Sequence, residues 1–182
     1  MDLIDIRYWW YQQDGTLYAP PGGQNLAPRQ WLRFLKPKAP DAQQLHRAVS
    51  EYRRRYPDKP VICSVDGASR HGSAVLLGGG SLPNLPRGTD PDLLRAARGM
   101  RPASPTNRGP TMALVNGDRA CIVLPDRAGA VVLPLVASTR YRLRRVSMLD
   151  GQAGPPESIV TDAAGSATID VGEDELLWIE RE

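Results

Sequence analysis

Two short segments in the first half of the chain are rich in apolar residues. The first spans Leu3 to Tyr11 and ends in four consecutive aromatic residues; before them, apolar residues alternate with Asp5 and Arg7, as in a strand with two different faces. The second spans Pro60 to Gly67 and is almost continuously apolar, which is typical of a strand buried in a parallel sheet. Between them the sequence predicts a helix that begins after Asp41, an N-cap residue with Gln44 three positions later, and stops before Pro57. Strand, helix and strand in this order predict a βαβ unit.

The remaining residues of the first half supply a loop and two further helices. The loop, residues 12–40, is rich in Gly and Pro and carries Arg29 and Trp31. Loops this long are usually functional or disordered, and the aromatic residues argue against disorder. A short helix is predicted from His71 to Leu77, and another begins after Asp90.

The apolar period changes to two in the second half. Residues 101–110, which carry three prolines, read as a linker, and the turn Asn116-Gly117-Asp118 then marks a β-hairpin. Seven short strands predict an all-β sandwich with Trp178 in its core. The predicted domains are therefore residues 1–104 and residues 105–182, and we expect the second to fold by itself.

Composition describes an ordinary globular protein, with 182 residues, 41% of them hydrophobic and 24% charged. The net charge of +3 comes from arginine, notably Arg53–Arg55 and Arg142–Arg145. A nucleic-acid patch is one interpretation of these clusters. Solvated faces explain both, because the first lies on the polar side of the predicted helix and the second alternates with apolar residues. No nucleic-acid partner is therefore expected.

Several other classes of protein are not indicated. Cys63 and Cys121 lie in separate predicted strands, and their spacing fits neither a disulfide framework nor a metal site, so no metal and no cofactor are expected. No apolar run reaches the length of about 18 residues that a membrane helix needs. Met1 leads directly into Asp2 without the basic and apolar segments of a secretory signal, and the localisation stays open.

Charged residues near the strand ends are the main candidates for chemistry. Asp66 stands at the carboxyl end of the second strand, where active-site residues of α/β proteins lie, although it could equally cap the next helix. Asp5 and Arg7 could pair inside a barrel, or both could lie on the solvated face of a sheet edge. His71 could act as a general base or simply begin a helix.

Aromatic residues form a second set of candidates. Trp9, Trp10 and Tyr11 could form a platform that stacks on a sugar ring, or they could pack at the rim of a barrel. Arg29 and Trp31 in the long loop are further candidates for lining a site. With Arg7 and His71, these residues form the predicted substrate-binding set.

Several segments resemble the end of a bacterial glycoside-hydrolase-like family. They are Asp5 to Trp9, Gly15 to Pro20, Asn25 to Gln30 and Gly79 to Pro83. In such proteins a (β/α)8 barrel precedes a C-terminal β-sandwich of the type named for collagen binding. The second half is similar to those sandwiches in Tyr141 to Leu143, Asp150 to Gly154 and Leu176 to Ile179.

The resemblance implies an α/β partial barrel, made of the last βα units, followed by an all-β sandwich. It also implies a glycan ligand, hydrolysis of O-glycosyl bonds by Asp66 and Asp5, and relatives that are exported to the periplasm or the cell exterior. Retaining barrel glycosidases commonly carry their nucleophile as Glu on the seventh strand, and this sequence departs from that pattern. Three alternatives follow: the chemistry uses an aspartate, the catalytic pair lies in the missing part of the barrel, or the protein is inactive.

Two strands cannot hold a catalytic pair in place, so we expect the missing N-terminal barrel segment to be a partner. Without it, the chain is expected to be inactive. The alternative hypothesis is a non-catalytic binding or structural module built on the β-sandwich.

Overall fold

The computed structural model describes residues 2–6, 10–11, 17–18, 41–64, 68–103, 112–125 and 127–182. Most of the regular structure in these residues is β-sheet, with few helices. In chain order, the elements are β1 (Ile4–Ile6), β2 (Trp10–Tyr11), β3 (Leu17–Tyr18), α1 (Ala42–Arg55), β4 (Val61–Cys63), a 3-10 helix (Ala68–His71), α2 (Gly72–Leu77), α3 (Pro91–Arg98), β5 (Arg101–Pro102), β6 (Met112–Asn116), β7 (Ala120–Leu124), β8 (Gly129–Pro134), β9 (Arg140–Ser147), β10 (Glu157–Val160), β11 (Ser166–Val171) and β12 (Glu175–Arg181).

Strands β1 and β4 pair in parallel, with Ile4 opposite Val61, and α1 lies between them in the chain. The predicted βαβ unit is therefore confirmed. Helix α1 begins as expected, because the Asp41 carboxylate accepts a hydrogen bond of 2.7 Å from the Gln44 N–H and so satisfies a free donor of the first turn. The helix ends at Arg55, two residues before Pro57.

A glycine run connects α2 to the edge of the parallel pair. Gly79 has a φ of +77°, and a side chain at Gly80 would collide with Val75 of α2, so both positions favour glycine. The run brings the Ser81 N–H within 2.6 Å of the Val61 carbonyl oxygen, to which it donates a hydrogen bond. The motif Gly79 to Pro83 thus places the chain beside β4.

The second half of the chain forms two antiparallel sheets. Six strands follow the order β10-β9-β12-β7-β6-β5, and β8 pairs with β11 in a separate sheet. All seven strands predicted there are present. The two sheets pack around a cluster of buried apolar residues that we call the sandwich core: Ala113, Cys121, Val123, Leu133, Tyr141, Leu143, Ile169, Val171, Leu177 and Ile179.

The opposite face of the six-stranded sheet packs against the first half of the chain. This second cluster, which we call the shared core, joins Ile6, Leu45, Ala48, Val49, Val61, Ala74, Val75, Leu76, Leu77, Leu93, Ala97, Met100, Met112, Leu114, Ile122, Val146, Leu176 and Trp178. Helix α2 lies in the middle of it, with all six of its residues at least half buried. The helical layer therefore lies between the parallel pair and the large sheet.

The structure corrects four details of the sequence prediction. Trp10–Tyr11 does not continue β1 but pairs antiparallel with Leu17–Tyr18, inside the segment predicted to be loop. Arg101–Pro102, the first two residues of the predicted linker, form a short strand that pairs with the edge of β6. The helix expected to begin at His71 is preceded by a turn of 3-10 helix that includes this residue. Trp178 is buried in the shared core rather than between the two sheets.

The arginine-rich segments serve structural roles. Arg53 donates hydrogen bonds to the carbonyl oxygens of Pro57 and Lys59 and so holds the turn after α1. The Arg144 guanidinium stacks 4.9 Å from the centre of the Trp178 ring. These contacts agree with the interpretation of the clusters as parts of folded surfaces.

Candidate functional site

A cleft with a volume of about 860 Å³ lies between the first helical segments and the antiparallel sheets. Its first wall comprises the start of α1, at Asp41 and Gln43, and the 3-10 helix after β4, at Arg70 and His71. Both segments follow a parallel strand in the chain, as the ligand-binding segments of α/β proteins do.

The antiparallel sheets supply the second wall. It consists of the segment after β7, with Arg127, and the turn between β11 and β12, with Glu173 and Asp174. Asp174 has a φ of +55°, a left-handed conformation that aspartate tolerates better than most residues. Its carbonyl oxygen accepts a hydrogen bond of 2.7 Å from the Met148 N–H, which ties the turn to the end of β9.

Two of the acidic residues in the cleft are held by the protein. Asp41 caps α1, and the Glu175 carboxylate accepts hydrogen bonds from the Gly172 N–H at 2.8 Å and from Arg145 at 3.2 Å. Partial burial opposes the charge of Arg145, but hydrogen bonds and the negative charges of Glu157 and Glu175 outweigh burial and raise its pKa. These carboxylates therefore build the cleft.

Five other charged or polar side chains of the cleft have no such engagement. Across the described part of the chain, no ion pair or side-chain hydrogen bond involves Arg70, His71, Arg127, Glu173 or Asp174. Guanidinium groups donate hydrogen bonds and carboxylates accept them. The cleft thus offers both donors and acceptors to a polar ligand.

A smaller cavity of about 310 Å³ adjoins the cleft, and both are lined by Arg70, Ser73 and Met148. Its polar lining includes Ser69 and Asn84. Its apolar lining includes four residues of the shared core: Leu76, Leu93, Val146 and Leu176. Both spaces have mixed linings, but the acidic residues belong to the large one, whereas four buried aliphatic residues line the small one.

The structure brings one predicted site residue, His71, to the cleft. Asp5 lies in β1 opposite Ile62, on the face away from the helices, since its neighbours Ile4 and Ile6 pack into the shared core. Its Oδ1 atom is buried. Trp10 and Tyr11 lie in β2, whose backbone pairs with β3. The predictions for Arg7, Trp9, Arg29, Trp31 and Asp66 fall outside the described residues.

Comparison with protein families gives one match, to a model described as a domain of unknown function, DUF6298, over residues 1–100. The chain belongs to the DUF6298 family. The match covers the parallel pair, the three helices and the first wall of the cleft. No curated protein and no solved structure matches the chain.

Sequence reasoning missed the residues of the cleft that lie outside the DUF6298 match. Arg127, Glu173 and Asp174 are turn residues of the sheets, and nothing in their local sequence indicates that they face the DUF6298 region. Arg70 was missed although it lies next to His71. Glu173 and Asp174 lie directly between β11 and β12, so a search for charged residues beside strand ends would have found them, but it would not have shown that they face the DUF6298 region.

Two further properties concern the described residues. Across the described ranges, no three His, Cys, Asp or Glu side chains come together in a way that could hold a metal ion. Among the helices of the described DUF6298 region, none is long and apolar enough to span a bilayer.

Proposed function

We propose that this chain is the C-terminal portion of a carbohydrate-active, glycoside-hydrolase-like protein, and that the cleft between the first helical segments and the antiparallel sheets binds its glycan. The observation that carries the proposal is the set of five unengaged side chains in that cleft: Arg70, His71, Arg127, Glu173 and Asp174. The motifs that resemble the glycoside-hydrolase-like family lie in the same half of the chain as the first wall.

The chemistry of the cleft suits a sugar. Each hydroxyl group of a sugar both donates and accepts hydrogen bonds, so its site needs groups of both kinds. Arg70 and Arg127 donate, and Glu173 and Asp174 accept. The volume of about 860 Å³ falls within the range of small-molecule sites.

The arrangement of the parallel pair supports a barrel origin. In a (β/α)8 barrel the helices cover the outside of the strands and the opposite side chains fill the interior. Here the helices pack on the face of Ile4, Ile6 and Val61, while Asp5 and Ile62 lie on the other face. Asp5 would then face the barrel interior, and further strands would be needed to enclose it.

Hydrolysis would require a pair of carboxylates about 5 to 10 Å apart on opposite sides of the glycosidic bond. The unengaged carboxylates of the cleft, Glu173 and Asp174, are adjacent residues of one turn and so lie on the same side of it. We therefore assign this cleft to binding. Asp66 and Asp5 stay the proposed catalytic residues, to be completed by barrel strands.

A specific observation favours the alternative of a non-catalytic module built on the sandwich. Three of the five unengaged side chains, Arg127, Glu173 and Asp174, belong to turns of the antiparallel sheets. A sandwich that binds glycans without hydrolysing them would use these residues. The collagen-binding character implied by the resemblance stays a prediction.

The proposal can be tested by measuring binding of the full chain to a panel of soluble oligosaccharides by isothermal titration calorimetry. We expect Arg127→Ala and His71→Ala to weaken binding about tenfold each, because each removes a hydrogen-bonding side chain from the site. Arg119→Ala is the matched control, since Arg119 is exposed in the turn between β6 and β7 and lies outside the cleft. Equal affinities of all variants would overturn the placement of the site.

Hydrolysis needs a separate assay with aryl glycosides. We expect no turnover by this chain alone, whereas turnover that is abolished by Asp66→Asn would establish the enzyme hypothesis directly.

A further inference from the structure

The small cavity beside the cleft has the features of a preformed site. Asn84 donates a hydrogen bond of 2.8 Å to the Ser69 carbonyl oxygen and so joins the loop before α3 to the 3-10 helix. On another side, the Asp90 N–H donates to the Gly151 carbonyl oxygen at 3.0 Å, which joins the start of α3 to the turn after β9. The walls are therefore fixed by hydrogen bonds between separate segments.

The base of this cavity is apolar. Leu76, Leu93, Val146 and Leu176 contribute to its lining, and each of them is at most 7% exposed. Ser69, Arg70 and Ser73 provide polar groups, and two of these, Arg70 and Ser73, also line the large cleft. A ligand that enters from the cleft would thus pass Arg70 and Ser73 and reach the four buried aliphatic side chains.

We propose that the small cavity binds an apolar substituent of the ligand whose sugar part occupies the large cleft. The substrate class is therefore a glycoside with an alkyl or aryl aglycone, rather than a plain oligosaccharide. This inference rests on the proposed function for the binding of the sugar, and it adds the small cavity as a second part of the binding site. Burial of apolar carbon against the four aliphatic side chains would add to the affinity that hydrogen bonds in the cleft supply.

The test compares matched ligands on the full chain by ligand-observed NMR titration. The probes are methyl and n-octyl β-D-glucoside, methyl and n-octyl β-D-galactoside, each below its micelle concentration, and 1-hexanol. We expect at least one n-octyl glycoside to bind about tenfold more tightly than its methyl counterpart, the effect of burying about two methylene groups. 1-Hexanol alone should bind more weakly than that glycoside.

A variant localises the effect. Ser69→Trp places a large ring at the exposed rim of the small cavity and should reduce the octyl-to-methyl ratio to about one without changing the affinity for the methyl glycoside. Ser158→Trp is the control, because Ser158 is an exposed residue of β10 that lines neither space. Circular dichroism would check that both variants are folded. The ratio of octyl to methyl glycoside affinity in the unmodified chain tests the proposal even if a variant does not fold.

The outcomes separate the two proposals. If methyl glycosides bind and octyl chains add nothing, the aglycone cavity is wrong and the proposed function stands. If 1-hexanol binds as well as the octyl glycosides and methyl glycosides do not bind, the cleft does not bind sugar. The proposal that one ligand occupies both the cleft and the cavity is then wrong too. Equal losses in Ser69→Trp and Ser158→Trp, or no binding of any probe, would also overturn the inference.

Discussion

The sandwich core draws all of its buried residues from one half of the chain, from Ala113 to Ile179, whereas the shared core draws on both halves, from Ile6 to Trp178. β12 shows the contrast within one strand. Leu177 and Ile179 face the small sheet, and Leu176 and Trp178 face the helices. Because both faces of this strand are buried, its sequence is nearly continuously apolar, as in a parallel sheet.

The predicted boundary between residues 104 and 105 therefore separates residues that pack together in the shared core. The strands after the linker bury one face of the large sheet among themselves. The other face is buried by α2 and α3. Independent folding of residues 105–182 stays a prediction, and the shared core adds that a sandwich separated from the helices would expose its second face.

The largest effect is expected from removing the first half. A chain of residues 105–182 would expose the sheet residues of the shared core: Met112, Leu114, Ile122, Val146, Leu176 and Trp178. Since each buried side chain of this size contributes about 1.5 to 3 kcal/mol, we expect self-association and a lower unfolding temperature than that of the full chain. Light scattering after size-exclusion chromatography measures the first, and calorimetry the second. A monomer with an unchanged unfolding temperature would show that the sandwich core is sufficient.

A substitution at Gly72 tests how tightly the helical layer is packed. A Cβ atom there would overlap the Asn84 carbonyl group, whereas a Cβ atom at Gly99 would meet nothing closer than 3.8 Å. We expect Gly72→Ala to lower the free energy of unfolding by about 3 kcal/mol because backbone must shift. Gly99→Ala is the control and should change it by less than about 1 kcal/mol. Urea titration of both variants decides whether this contact is rigid.

The corresponding test in the sandwich concerns Thr161, which is buried. Its hydroxyl donates a hydrogen bond of 2.6 Å to the Val136 carbonyl oxygen and accepts one of 2.9 Å from the Thr139 N–H. Thr161→Val should lower the free energy of unfolding by about 2 kcal/mol, because it leaves both backbone groups without a partner. Thr168→Val, at an exposed strand position, should have little effect. Similar values for the two variants would argue that water replaces the lost hydrogen bonds.

A pH effect should be specific to the helical layer. Burial lowers the pKa of His46, the charge of Arg54 lowers it further, and a hydrogen bond with the backbone of Leu77 partly offsets both. Because the folded pKa lies below the unfolded value of 6.5, the unfolded chain binds more protons as the pH falls. The free energy of unfolding should therefore decrease from pH 7.5 toward pH 5.5. His46→Gln should flatten this part of the profile, and an unchanged slope would assign it to other groups.

The smallest effect is a difference in reactivity between the two thiols. Burial raises the pKa of Cys121, in the sandwich core, to about 12, so almost no thiolate forms at pH 8. Cys63, in β4, is only partly buried. We expect a thiol reagent to label Cys63 first and to reach Cys121 only when the sheets open. In the Cys63→Ser variant, rapid labelling of Cys121 under native conditions would contradict this order.

Local chemistry was predictable, and contacts between distant segments were not. The caps at Asp41 and Asp90 could be predicted because each satisfies donors within the next three residues. The strands of the second half could also be predicted, because their side chains are alternately buried and exposed and the sequence alternates accordingly. The short strand Arg101–Pro102 was missed because its two residues form a strand only beside β6. The second wall of the cleft was missed for the same reason, because Arg127 and Asp174 meet His71 only through the packing of the shared core.

The hydrogen bond from the Ser81 N–H to the Val61 carbonyl oxygen makes the two edges of the parallel pair unequal. A strand added beside β4 would have to displace Ser81 at the level of Val61. A strand added beside β1 would leave that hydrogen bond intact. The glycine-rich connection therefore protects the β4 edge of the pair against addition of a strand at that level.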